Sequence, residues 1–178
     1  MVFVWVFAPE FRVMGRTRSL SRTQDAGSLW VILVGQCLAI WVTFSVAFVF
    51  RFGVLPRQQL WFWLGSATMI AGSLLRRHCF RMLGSSFTGA VVVREHQTIV
   101  ERGVYRWVRH PSYTAAILVY AGMALALGNW ISVAVVLIAI PPTYVYRVSV
   151  EERALVATLG EPYRAYMQRT KRFIPLII

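Results

Sequence analysis

LWVILVGQCLAIWVTFSVAFVF, residues 29–50, runs for 22 residues without a charge. As a helix it is about 33 Å long, enough to cross the hydrocarbon core of a bilayer. Three further apolar runs, residues 60–75, 113–127 and 130–146, have 15–17 residues each. That is at or just below the usual length of a span. One such run alone reads equally well as a buried core helix. Four in 178 residues read as a bundle of spans. Residues 1–11 are apolar too, but as a helix they reach only about 16 Å. They lack the basic start and small-residue cleavage site of a signal peptide, and read as a partial span or an interfacial helix. The expected fold is therefore all-α: a polytopic membrane helix bundle with about 4–5 transmembrane segments.

Composition agrees. Apolar residues make up 57 % and charged residues 15 %, against roughly 45–50 % and about 25 % in ordinary soluble domains. That excludes a disordered chain and argues against a water-soluble globule, which could not cover so much apolar surface. Two cysteines cannot build a secreted disulfide scaffold. The net charge is +12, and its placement decides what it means. With alternating topology, seventeen of the 19 basic residues fall on one side and two, Arg51 and Arg57, on the other. The positive-inside rule puts residues 12–28, residues 76–112 and the C-terminal tail in the cytoplasm. The surplus charge then faces the anionic headgroups of membrane lipids. No nucleic-acid partner is expected, since no helix-turn-helix, zinc-finger or RNA-binding motif is present.

Smaller signals fit the same layout. Trp30, Trp61, Trp63, Trp107 and Trp130 sit at or near segment ends, where amphipathic rings favour the interface. Ala67 with Ala71, and Gly122 with Ala126, are small pairs at helical spacing that would let helices approach closely in lipid. Pro141 and Pro142 should kink the last span and free backbone carbonyls. Such a kink is structural or borders a site.

The only sizeable parts outside the spans are residues 76–112 and 147–178, both on the cytoplasmic side. Soluble-cofactor chemistry would have to be built from these two pieces. Residues 87–93 read as a short extended stretch or loop. Further on, Pro111 suits the first turn of a helix, with His110 near its N-cap. The start of that helix offers unpaired N–H groups and the positive end of a dipole, a natural place for a carboxylate. In the second piece Arg147 and Glu151 lie four apart on one helix face. Gly160 stops the helix and Pro162 restarts one. On the residues alone, Arg147 with Glu151 reads equally as a surface ion pair, and His110 as a capping or interfacial histidine. No metal site is expected, because His78, Cys79, His96 and His110 lack ligand spacing. Nor is there a phosphate-binding glycine loop or a recognisable serine or cysteine nucleophile.

Gly103-Val104-Tyr105 and Arg109-His110-Pro111-Ser112-Tyr113 fit the pattern G-x-Y-x-x-x-R-H-P-x-Y. Glu151-Glu152 and Leu159-Gly160-Glu161-Pro162-Tyr163, with Tyr166, form a second block. In both blocks, across about residues 80–178, the chain resembles the isoprenylcysteine carboxyl methyltransferase family. Gly15-Arg16-Thr17-Arg18 is similar to some prokaryotic members. The chain departs from the family at Thr114-Ala115, where a glycine is usual. It departs again near Val93, where eukaryotic members place a glutamine, and in its Pro141-Pro142 pair.

The resemblance implies a single membrane domain, residues 1–178, in which spans 1–80 precede a methyltransferase core, 81–178. It implies an S-adenosylmethionine site at the cytosolic end of the bundle, formed by Gln97, Thr98, Ile99, Val100, Tyr105, His110, Pro111, Ser112, Tyr113 and Glu151. Arg147 would hold the carboxylate of a lipophilic small-molecule or prenylated acceptor arriving from the bilayer. Carboxyl O-methylation needs no general base, because the nucleophile is already ionised near neutral pH. The absence of an obvious base is consistent with that chemistry. The first block alone also resembles phospholipid N-methyltransferases and NADPH-dependent sterol-reductase-like enzymes. A non-catalytic membrane protein is the remaining alternative.

Overall fold

The structure, a computed structural model, describes residues 27–49, 53–84 and 98–174. Residues 1–11, residues 87–93 and Gln97 lie outside the described residues. Among the described residues five α-helices follow one another: α1 (Ser28–Val49), α2 (Gln58–Leu83), α3 (Pro111–Ala126), α4 (Trp130–Leu159) and α5 (Glu161–Arg169). A 3-10 turn, Gly103–Arg106, precedes α3. Among the described residues there is no strand, only two isolated bridges. The all-helical expectation is borne out. Of these described helices, α1 and α4 are long and apolar enough to cross a membrane, and α3 is a shorter apolar helix.

Helix ends follow local chemistry. Nothing after residue 75 breaks the helical pattern until Gly84, whose φ of 54° closes α2. Arg76, Arg77 and Arg81 are thus on α2 and not in a loop. Asn129 caps α4 by accepting from the N–H groups of Ile131 (2.9 Å) and Ser132 (3.3 Å). Pro141 and Pro142 lie inside α4 without ending it. The helix continues to Leu159, where Gly160 caps it and Pro162 opens α5.

Polarity is turned outward-in. Trp30, Val34, Leu38, Trp41 and Phe48 of α1 are exposed, as are Phe62, Trp63 and Leu64 of α2 and Leu137 and Ile138 of α4. Gln36, Thr43, Ser73 and Ser132 are buried. Gln36 accepts from the Tyr120 hydroxyl (3.0 Å) and donates to the Tyr144 hydroxyl (2.6 Å), so one amide joins α1, α3 and α4. Soluble proteins rarely expose so much contiguous apolar surface. Hydrocarbon solvates such a surface, while polar groups such as Gln36 and Ser132, whose hydroxyl donates to Thr43 O (2.9 Å), find partners inside.

The tightest contact is between α2 and α3. A Cβ on Gly65 would lie 2.3 Å from the Ala126 nitrogen, and one on Gly122 2.6 Å from the Met69 nitrogen. The expected pair Gly122 and Ala126 does serve close approach. The expected Ala67 and Ala71 do not: both are exposed, and Gly65 with Gly72, seven residues and two turns apart, take that place. The two alanines fall on the other side of the helix.

The turns sort the ends of the bundle. The bridge of Val54 to Asn129, and Leu55 N–H donating to Gly128 O (2.7 Å), put the start of α2 beside the α3–α4 turn. The start of α1, the end of α2, the start of α3 and the last turns of α4 meet at the opposite end. Ser28 there touches Arg147, and Arg76 touches Ser112. Gly65→Val is expected to destabilise the detergent-solubilised protein by about 1–3 kcal/mol through overpacking. Ala67→Val should cost far less, and paired thermal melts measure the contrast.

Candidate active site

The approach to α3 is held from three sides. Gly103 has φ 58°, and a Cβ there would strike Met82 of α2 at 2.4 Å. Tyr105 is buried, and its carbonyl accepts from the Tyr166 hydroxyl of α5 (2.7 Å). The segment after α5 runs beside the loop: Lys171 N–H donates to Trp107 O (3.0 Å), Arg109 N–H to Lys171 O (2.8 Å), and His110 N–H to Arg172 O (3.0 Å). Pro111 is the first helical residue, His110 the N-cap. Arg76 at the end of α2 donates to Ser112 O (2.7 Å).

Four sequence-predicted residues then converge. The Tyr113 hydroxyl donates to Glu151 Oε2 (2.7 Å) and accepts from Arg147 Nε (3.4 Å). Arg147, 3 % exposed, also donates through Nη1 to Ser28 Oγ (2.7 Å). His110 Nδ1 lies 4.0 Å from Glu151 Oε2, and its ring stacks on Tyr113. Glu151 keeps 30 % of its side chain exposed and Tyr113 is partly buried, while His110 and Arg147 are enclosed. An acidic, partly open position therefore sits next to a buried guanidinium, with one tyrosine hydroxyl between them.

The next residue faces elsewhere. Glu152, 3 % exposed, accepts from Arg109 Nε at Oε1 (2.9 Å) and from Arg172 at Oε2 (Nε 3.0 Å, Nη2 2.7 Å). His110 Nε2 is 3.3 Å from Oε1. Arg109 also donates to the carbonyls of Met167 (2.9 Å) and Thr170. Residues 147–159 lie beyond the apolar run of α4. Burial would raise the Glu152 carboxyl, but His110 and then Arg109 outweigh it and hold the group at about 2. Burial also pushes the Tyr105 hydroxyl far up and the Tyr166 hydroxyl to about 12, so both stay neutral near pH 7.

Pro111 and Ser112 adjoin this group as the first turn of α3, and Tyr105 lies under it. Thr98, Ile99 and Val100 are described as irregular chain, with no hydrogen bond or ion pair to the group among the described residues. Gln97 is outside them. The sequence places Arg109 and Glu152 in the two motif blocks but gives neither a role, and it gives no sign of Ser28. The signal for Glu152 was present: consecutive helical residues point about 100° apart, so the two carboxylates of a Glu-Glu doublet face different directions, here two sides of the His110 ring.

The donor set suits a compact amphoteric ligand. Tyr105 OH, beside Cys79 of α2, and His110 Nε2, 3.3 Å from Glu152 Oε1, are buried and make no well-aligned hydrogen bond among the described residues. Beside them are a free carboxylate face on Glu151 and the N-terminus of α3, which favours negative charge. No cluster of potential metal ligands occurs among the described residues.

An apolar-faced helical bundle with a buried charged group at one end defines the class of fold, and comparison with known proteins gives it a family. The sequence profile of the isoprenylcysteine carboxyl methyltransferase (ICMT) family matches residues 63–157. The chain is 31 % identical over 125 residues to protein-S-isoprenylcysteine O-methyltransferase B of Arabidopsis thaliana, covering 67 % of this chain and 63 % of that one. It is 31 % identical over 108 residues to protein-S-isoprenylcysteine O-methyltransferase of Schizosaccharomyces pombe, covering 60 % and 46 %. The solved structure of the eukaryotic intramembrane Ras methyltransferase ICMT superposes with a TM-score of 0.64 at 25 % identity, over 82 % of this chain and 52 % of that one. The chain belongs to the isoprenylcysteine carboxyl methyltransferase family. It matches about half to two thirds of the length of these relatives. The comparisons give no support to the N-methyltransferase, reductase or non-catalytic alternatives.

Removing the Glu152 charge leaves Arg109 and Arg172 facing a neutral amide, at a cost on the order of 3–5 kcal/mol. The folded carboxyl sits at about 2 and the ordinary value is 4.5. The folded state thus binds fewer protons, and this stabilisation is complete above pH 4.5 and lost as pH falls toward 2. The gap in melting temperature between wild type and Glu152→Gln is expected to close over that interval. A pH-independent gap would contradict it.

Proposed function

We propose that this chain is a multi-pass membrane methyltransferase with its site on the cytoplasmic side, transferring a methyl group from S-adenosylmethionine to the carboxylate of a prenylcysteine or similar lipophilic acceptor. The observation that carries the reading is the Arg147–Tyr113–Glu151 chain of contacts, which puts a buried cation and an accessible carboxylate side by side. Membership of the family supports the reaction class. The arginine-rich end of the bundle supports the cytoplasmic orientation and about 4–5 spans.

S-adenosylmethionine supplies a methyl carbon made electrophilic by a sulfonium. Glu151 suits the positive parts of that molecule, and the N–H groups at the start of α3 suit its carboxylate. Tyr105 and His110 offer it buried polar atoms. Gln97, Thr98, Ile99 and Val100 are assigned to the same ligand, with Pro111, Ser112 and Tyr113 shaping its wall. Arg147 fixes the acceptor carboxylate, and Tyr113, by bonding both Glu151 and Arg147, fixes the two ligands relative to each other. One C–S bond breaks as one C–O bond forms, and no proton moves. The protein's task is alignment and exclusion of water. A hydrophobic tail on the acceptor would remain in the bilayer against the apolar outer face.

The test is transfer of labelled methyl from S-adenosylmethionine to a free-carboxyl S-prenylcysteine in detergent. Base-labile label is expected, since esters hydrolyse where N-methyl groups do not. Glu151→Ala should abolish stabilisation by S-adenosylmethionine. Arg147→Ala should raise the acceptor KM at least tenfold with donor binding retained. Label stable to base, or a melting curve unmoved by saturating donor, would overturn the proposal.

A further inference from the structure

We propose that Arg172, through Glu152, is a positioning residue for donor binding: the segment after α5 is a strap that sets the place of His110. The inference rests on the methyltransferase reading of the site. Arg172 touches none of the residues assigned to either ligand except through backbone, and its side chain is 41 % exposed. Yet it covers one oxygen of Glu152 with two nitrogens while Arg109 covers the other. The same carboxylate lies 3.3 Å from His110 Nε2.

Backbone contacts run in parallel. Arg109 and His110 each donate their N–H to the strap, at Lys171 O and Arg172 O, and Thr114 Oγ1 donates to Phe173 O (2.8 Å). Every one of these groups lies in or next to the turn that leads into α3. The His110 backbone is therefore fixed by the strap, and its ring is held between Glu151 at 4.0 Å and Glu152 at 3.3 Å. If the strap loosens, the ring and the first N–H groups of α3 lose their alignment. Arg147 has an anchor of its own in Ser28 Oγ (2.7 Å) and meets this linkage only through the longer contact to the Tyr113 hydroxyl (3.4 Å). The strap thus acts first on the donor and only at one remove on the acceptor.

Arg172→Ala and Arg172→Lys, in the full chain in detergent, test this. Arg172→Ala is expected to raise the S-adenosylmethionine KM about tenfold, with kcat and acceptor KM within about twofold; Arg172→Lys should recover most of the loss. Hydrogen exchange at the Arg109 and His110 amides should quicken at least tenfold in Arg172→Ala and stay slow at amides in the middle of α3. An unchanged donor KM, or equal loss in both KM values and kcat, would overturn the proposal. So would unchanged exchange at the two amides. If wild type binds no S-adenosylmethionine, the methyltransferase reading fails by itself, and the exchange measurement still decides whether Arg172 fixes the loop.

Discussion

The Glu152 carboxylate, almost wholly buried, draws three separated parts of the chain to one point: the turn before α3, the end of α4 and the segment after α5. A buried charge is tolerated only when its lone pairs are satisfied, and here two guanidiniums satisfy them. That requirement forces Arg109 and Arg172 together, and with them the loop and the strap. Glu151, one residue earlier, is left free to face the open side. The doublet thus divides two positions between adjacent residues: one fixes the frame, the other stays partly open to the proposed ligand.

The bundle below supplies the fixed reference for that frame. In lipid, helices gain little from burying apolar side chains, so close backbone approach and internal hydrogen bonds matter more. The Gly65–Gly122 contact locks α2 to α3, and the Gln36 amide ties α1 to α3 and α4. The helix carrying Pro111 at its start and the helix carrying Arg147 are both held this way. A displacement of either would separate Tyr113 from Arg147 and Glu151.

Much of this was legible in the residues. The apolar runs located the long helices, and the arginine distribution put residues 76–112 and 147–178 at one end, where the structure brings Arg109 and Glu152 into contact. Pro111, Gly160 and Pro162 marked helix ends correctly because each acts through its own backbone restriction. What could not be read was tertiary. Ala67 and Ala71 look like a packing pair but face outward, since small size does not say which face meets a neighbour. Arg147 and Glu151 were recognised as sharing a face; that Tyr113 joins them, and that Ser28 comes from far along the chain, depends on how four helices assemble. Glu152 stands in the second motif block, but its separate role is not legible there, because a doublet looks like repetition until the helix turns the two carboxylates apart.

A site built from both polar stretches requires them to share one face of the membrane. The direct test is side-specific labelling in sealed, oriented vesicles. Cys37 and Cys79 are replaced, and single cysteines are placed at Arg102 and Arg153. A membrane-impermeant maleimide should reach both positions from the same side, the side that would be cytoplasmic. Labelling of the two from opposite sides would contradict the enclosure of any ligand between them.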